Sequence, residues 1–206
     1  MVAVRRVPES DFDAVYQLLC ERVGDRDRAS VRAWYDDHPE LFHAAYDGNS
    51  AGGAAADYGH SVAGGAAEVV GFAIGRERGD DHVELAGIGV REAYTRRGIG
   101  SRLLRAFESA AADAGFERVS LGSAGGYVDD FYRANGYDPE SILVRLHPED
   151  APENVRDLGF EILRERRECD TRKFYVAPGG YDPERVEAVR AAFGDPQAIY
   201  IMERTV

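Results

Sequence analysis

The sequence predicts an α/β fold, a mixed, twisted sheet flanked by helices, and three observations carry that prediction. Short β-branched segments alternate with amphipathic helical ones along most of the 206 residues. A tight basic-glycine turn, Arg96-Arg97-Gly98-Ile99-Gly100, joins an apolar strand to a helix. After Pro148 the chain adds a β-hairpin, a helix and a final strand, a C-terminal extension of the same architecture. The length suits one sizeable core, organised as residues 1–147 with the extension 148–206 packing on or completing the same sheet.

Each element follows from its pattern. Val2 to Val7 alternates as a first strand. Ser10-Asp11-Phe12-Asp13 places an N-cap with an acid three positions on, opening a helix through Val15, Leu18, Leu19 and Val23. A second helix is expected from Ser30 through Trp34, stopping before Pro39. Leu41 to Tyr46 reads as a strand, and the Gly/Ala/Ser-rich stretch 48–66 as a mobile loop. The strands Glu68 to Gly75 and from Val83 onward flank a turn at Gly79-Asp80-Asp81, as in a hairpin. Ile99, Leu103, Leu104, Phe107, Ala110, Ala111 and Ala114 form one helical stripe, which Gly115 ends. Glu117 to Gly122 is a strand, Val128 to Ala134 a helix stopped by Asn135-Gly136, and Ile142 to Leu146 a strand. The extension reads as a hairpin (Phe160 to Arg167, Arg172 to Val176), a helix from Pro183 to Phe193 and a strand from Ala198 to Glu203.

Composition narrows the function classes. The net charge is −12, and Lys173 is the only lysine. Carboxylates hold hydration in brine, whereas lysine stems expose apolar surface, so this is a halophile-like composition of the kind expected in a halophilic archaeon. The alternative is an ordinary acidic protein from a GC-rich genome. Either way the balance argues against a nucleic-acid partner, which wants a basic stripe. No apolar run approaches a membrane span, and the N-terminus has no signal-peptide pattern. Cys20 and Cys169 form no CxxC, which fits reduced thiols and a cytoplasmic location. The five histidines show no ligand spacing, so no metal site is expected.

The chemistry concentrates between Val83 and Phe107. A helix start leaves its first N–H groups without intrahelical partners and carries about half a positive charge, which suits phosphate. Glycines at 98 and 100 let an anion approach the backbone closely. A dinucleotide fingerprint would need GxGxxG after the first strand, and a P-loop would need GxxxxGK[ST]; neither occurs here. Thr95-Arg96-Arg97-Gly98-Ile99-Gly100 instead resembles the R/Q-x-x-G-x-G/A turn of the Gcn5-related N-acetyltransferase (GNAT) family, with Thr95 where Gln or Arg is usual. Phe131-Tyr132-Arg133-Ala134-Asn135-Gly136-Tyr137 resembles the family's later F/L-Y-x-x-x-G-F/Y element. Together the resemblance covers about residues 1–146.

That resemblance implies the GNAT fold, with a V-shaped slot in the sheet, and acetyl-coenzyme A as co-substrate. Its pyrophosphate would lie on the amides of Arg97 to Ser101, in the turn that includes Arg96, Gly98, Ile99 and Gly100. Its pantetheine would follow Ile88-Gly89-Val90, with the Val90 N–H as oxyanion donor. Glycines 87 and 89 are consistent with a bulge that splays this strand from its neighbour at Val119–Leu121; tight helix packing is the alternative. An alkylammonium must lose a proton before it attacks, so a base is needed, and the departing thiolate benefits from an acid. Glu84, an acid in an apolar strand, is the candidate base; the plain alternative is a strand-end acid facing water or pairing an arginine. Tyr132 takes the acid's position, its alternative being a core tyrosine. Gly125 stands where the family often has a cofactor-contacting Asn, so only an amide is offered there.

The expected activity is N-acetyltransfer from acetyl-CoA to an amine-bearing acceptor, a small molecule or a protein N-terminus or lysine, by direct attack. The competing class is a CoA-binding module with weak or no turnover. The extension is expected to supply the last strand of the sheet, a wall of the acceptor site or a homodimer surface, and no motif identifies the acceptor.

Overall fold

The β-branched and aromatic runs of the N-terminal half form four strands: β1 (Val2–Arg6), β2 (Phe42–Asp47), β3 (Glu68–Gly79) and β4 (His82–Val90). They are joined in the order β1-β2-β3-β4, every pair antiparallel. The computed structural model describes residues 1–48, 67–152 and 154–206, so the loop expected over 48–66 lies, apart from Gly48, outside the described residues. The chain divides into two compact units, residues 1–119 with Val206, and residues 120–205.

In the first unit β2 and β3 are almost continuously apolar because helices cover both faces of the sheet. Helix α1 (Phe12–Val23) lies over one face, where Phe72 and Ile74 are fully buried. Helix α2 (Arg28–Asp37) follows it in the chain. Helix α3 (Ile99–Asp113) covers the other face, and two glycines of β3 admit it. A Cβ at Gly75 would fall 2.4 Å from the Phe107 ring, and one at Gly71 3.1 Å from Leu103. The buried Leu103, Leu104 and Phe107 are the stripe read from the sequence, and Gly115 leaves the helix at φ +92° as expected.

Two helix starts differ from their expected positions. Pro8 opens a single 3-10 turn over Glu9–Asp11, closed by the Asp11 N–H on the Pro8 carbonyl at 2.9 Å. Helix α1 therefore begins at Phe12, and Ser10 donates its hydroxyl to Asp11 rather than capping. Helix α2 begins at Arg28 because Asp27 is the true cap, accepting the Ser30 N–H at 2.9 Å.

Strand β5 (Arg118–Ser123) starts in the first unit, where the Arg118 N–H reaches the Asp81 carbonyl at 3.0 Å. Strands β4 and β5 thus begin at the same end, the parallel relation a crossover through α3 requires. This completes the expected α/β class, a mixed sheet flanked by helices.

The second unit holds the rest of β5, α4 (Tyr127–Ala134), β6 (Asp138–Leu146), β7 (Ile162–Glu168), β8 (Thr171–Val176), α5 (Pro183–Ala192) and β9 (Gln197–Thr205). Its strands run in the order β5-β9-β6-β8-β7. Strand β6 is paired antiparallel with β9 on one side and β8 on the other, so strands from beyond residue 147 flank it on both sides. Phe174, Val189, Phe193, Tyr200 and Met202 from these late elements are buried with Ile142 and Val144. Asp182 caps α5 ahead of Pro183, as the proline position implied. Among the described residues no helix is long and apolar enough to cross a membrane.

Candidate functional site

The glycine turn has the geometry of an anion cradle. Arg96 and Gly98 both adopt positive φ, +57° and +71°, flanking Arg97. Alternating left-handed residues turn successive N–H groups toward one side, the nest arrangement that holds anions. The first backbone bond of α3 is the Arg102 N–H on the Gly98 carbonyl, at 3.2 Å. Hence the N–H groups of Ile99, Gly100 and Ser101 have no intrahelical acceptor. No side chain caps them and no acid sits in the first turn. A Cβ at Gly98 would meet nothing within 4 Å, so the space before the helix is open. Arg96, Arg97 and Gly98 are exposed, and Arg97 lies 5.1 Å over the Tyr94 ring. Thr95, the departure from the family pattern, donates its hydroxyl to the Glu92 carbonyl and so secures the turn that enters the cradle.

Strand β4 supplies the second part. The Arg91 N–H bonds the Val70 carbonyl at 2.8 Å, and Gly71 stands opposite Val90. Antiparallel pairs alternate between bonded and non-bonded, so Val90 and Ile88 occupy non-bonded positions relative to β3. Their N–H groups point away from β3, toward the opposite edge of β4, while Gly89 belongs to the bonded set. A bulge is present: the register shifts between Ile74 and Gly75, leaving Ala86 as the extra residue beside Gly87. The glycines themselves are accounted for on the α1 face. A Cβ at Gly87 would lie 2.9 Å from Leu19, and one at Gly89 2.8 Å from Phe72 and 2.9 Å from Arg22. Helix packing, the alternative reading, therefore explains why these positions are glycine.

Glu84 is not a solitary acid. Arg76 stands directly opposite it and binds it through Nη2 at 2.9 Å to one oxygen and through Nε at 3.3 Å to the other. Arg78 donates Nε to the same carboxylate. Arg76 in turn lies 4.9 Å over the Trp34 ring of α2. The carboxylate is one-fifth exposed, at 22%. Two guanidinium groups thus engage one carboxylate through charge-assisted hydrogen bonds.

The remaining candidates, Gly125 and Tyr132, lie just before and on α4 in the second unit. Tyr132 is buried, its ring edge-on to Phe131 at 5.2 Å and to Tyr137 at 5.8 Å. Burial pushes its phenol pKa above the ordinary value, so it keeps its proton at neutral pH. Gly125 and Gly126 precede the helix at φ +91° and +61°, with open space where Cβ atoms would be. Asp129 of α4 is buried and accepts the Ser123 hydroxyl.

The first unit thus brings together Glu84, Ile88, Gly89 and Val90 on one strand and Arg96 to Ser101 on the turn that follows it, while in the second unit Gly125 lies just before α4 and Tyr132 on it. Sequence reasoning missed Arg76, Arg78 and Trp34. Counting back from the two-residue turn would place Glu77 opposite Glu84; a second register shift, which skips Arg78, puts Arg76 there instead. Among the described residues no group of three or more His, Cys, Asp or Glu side chains is placed to hold a metal.

The model of the acetyltransferase (GNAT) family matches residues 9–137, more than half of the chain, and the chain belongs to that family. Its fold is also found in solved structures. The ribosomal-protein-S18-alanine N-acetyltransferase from Escherichia coli is 14% identical with a TM-score of 0.56, over 100% of this chain and 94% of that one. Arabidopsis thaliana Naa50, in complex with the bisubstrate analogue CoA-Ac-MVNAL, is 15% identical with a TM-score of 0.55, over 100% and 99%. A GNAT family acetyltransferase from Elizabethkingia anophelis with acetyl-CoA bound is 12% identical with a TM-score of 0.51, over 100% and 98%. At such identities the likeness is one of fold. No curated protein matches the sequence.

Proposed function

We propose that the chain transfers an acetyl group from acetyl-CoA to a primary amine by direct attack, without a covalent enzyme intermediate. The observation that carries this reading is the open, uncapped set of amides from Ile99 to Ser101 under Gly98, one turn beyond a strand whose Ile88 and Val90 N–H groups face away from β3. Arg96, Arg97, Gly98, Ile99, Gly100 and Ser101 would hold the pyrophosphate, with the helix start and two guanidinium groups complementing its charge. Ile88, Gly89 and Val90 would align the pantetheine, and Gly125 offers a further amide. Bound acetyl-CoA supplies the activated thioester.

The chain's residues then have separate tasks. Glu84 takes the proton from the acceptor's ammonium through a chain of water molecules, the Val90 N–H donates to the carbonyl oxygen as its charge grows, and Tyr132, whose buried phenol keeps its proton, holds it for the departing sulfur. The relatives of this fold that act on peptide or protein N-termini make an N-terminal amine one reasonable acceptor. A second reading, a CoA-binding module without turnover, is favoured by the double arginine clamp on Glu84, which already engages both carboxylate oxygens. A panel of amines and peptide N-termini, assayed for free-thiol release, decides between them. Thiol release that depends on the amine supports the transferase; acetyl-CoA binding with no turnover on any amine supports the module.

A further inference from the structure

The arginine clamp is larger than its one visible task requires. Arg76 and Arg78 bring two positive charges to the single carboxylate of Glu84, a local surplus of one in a chain whose net charge is −12. A guanidinium has five N–H donors in a fixed fork. Glu84 engages Nε and Nη2 of Arg76 and Nε of Arg78. Nη1 of Arg76 and both terminal nitrogens of Arg78 have no acceptor among the described residues. Arg76 is 29% exposed and Arg78 42%, so this part of the fork is open to solvent. Trp34 backs Arg76 at 4.9 Å and restricts its plane. A planar, pre-oriented and partly unfilled guanidinium pair fits a second carboxylate.

We propose that Arg78, with Arg76 held between Trp34 and Glu84, binds a carboxylate carried by the amine acceptor. The inference rests on the acetyl-transfer reading for the word acceptor, since it places the reacting amine near Ile88 to Val90. Glu84 and Ile88 are four residues apart on β4, so at about 3.3 Å per residue the two ends of the acceptor lie roughly 10–13 Å apart once the bulge is allowed for. That span exceeds the amine-to-carboxylate distance of a free α-amino acid. It matches an extended peptide whose second or third residue is Asp or Glu, or a longer amino acid bearing a distant carboxylate. The shared chemistry is an amine and a carboxylate about 10 Å apart.

Trp34 is the only tryptophan in the chain, so its fluorescence reports on this site directly. The experiment titrates the full chain, saturated with CoA, with three probes: a C-terminally amidated tripeptide with Glu at position 3, its amidated Gln counterpart, and a linear ω-amino acid of similar span. The Glu peptide is expected to bind roughly tenfold more tightly than the Gln peptide, the gain typical of a charge-assisted contact. Arg78→Gln should erase that preference, Arg78→Lys should restore part of it, and calorimetric CoA affinity should stay at the wild-type value, which shows that the variant is folded. Selective binding of the Glu peptide assigns the source to peptides; equal binding of the ω-amino acid assigns it to small molecules, and both uphold the site. Equal affinity for the Glu and Gln peptides, or a preference that survives Arg78→Gln, overturns it. Fluorescence needs no turnover, so carboxylate binding without acetylation would indict the transferase reading and leave this one standing.

Discussion

The two halves of the candidate site are built from different materials. The turn before α3 presents main-chain N–H groups, shaped by two left-handed residues and left uncapped. The β3–β4 patch presents side chains, one carboxylate clasped by two guanidinium groups against a tryptophan. A backbone site depends on a few residues adjacent in sequence and tolerates variation in the side chains around it. A side-chain site depends on register, and a single bulge decides which residues meet. The first kind suits a constant ligand group such as pyrophosphate, the second a group that differs among substrates.

Substitutions on the two halves should therefore differ in what they change, and the largest effect is expected in the chemistry. Removing a general base or acid costs about 10²–10⁴-fold. Glu84→Gln and Tyr132→Phe should each lower kcat within that range while leaving acetyl-CoA affinity near wild type, as steady-state kinetics and calorimetry would reveal. Glu84→Gln should hurt least at high pH, where the acceptor is already a free amine. Tyr132→Phe should hurt less with an acyl donor whose thiol leaves easily. If both variants keep full kcat on the best acceptor, Glu84 is merely the arginines' partner and Tyr132 a packing residue.

A smaller effect concerns the framework under both halves. His43, on β2, is 6% exposed, and burial, aided by Arg6, lowers its pKa to about 4. The unfolded chain takes up a proton near pH 6.5 that the folded chain refuses, so stability present above that pH is lost as pH falls toward 4. The shift corresponds to about 3 kcal/mol. His38 works in the opposite sense. Burial lowers its pKa, but hydrogen bonds to Glu40 and Glu77 outweigh burial and the net shift is upward. Its stabilisation is complete below about pH 6.5 and is lost as pH rises through its raised folded value. Denaturant melts of His43→Leu between pH 4 and 7 should thus show most of the acid loss removed. An unchanged pH profile would mean that other groups govern it.

The smallest expected effect separates the acidic surface from the two site halves. If the composition is a halophilic adaptation, the melting temperature should climb steadily from dilute buffer to molar KCl. Long-range attraction is screened there, at a Debye length of about 3 Å, whereas the contact between Arg78 and a bound carboxylate should persist. A melting temperature independent of salt would mark the acidity as ordinary.

Legibility followed the same division. The turn was readable because a nest and a helix start are written in consecutive residues, and α3's stripe and Gly115 bound the helix that carries it. The partners of Glu84 were not readable. Arg78 is skipped by a register shift, and regular pairing would have set two glutamates opposite each other. Trp34 reaches Arg76 from a helix more than 40 residues away in sequence. The start of α1 was displaced for a local reason, the 3-10 turn that Pro8 opens, which outcompetes the Ser10 cap.

The central claim is that the amides under Gly98 bind the pyrophosphate of acetyl-CoA, and isothermal calorimetry of Gly98→Asp tests it most directly. A Cβ at this position meets nothing within 4 Å, and Asp tolerates the left-handed φ of +71° better than most residues, so the variant should fold. Its carboxylate would occupy the cradle and repel the phosphates, and acetyl-CoA affinity should fall by about 100-fold or more. Wild-type affinity in a folded Gly98→Asp chain would contradict the claim.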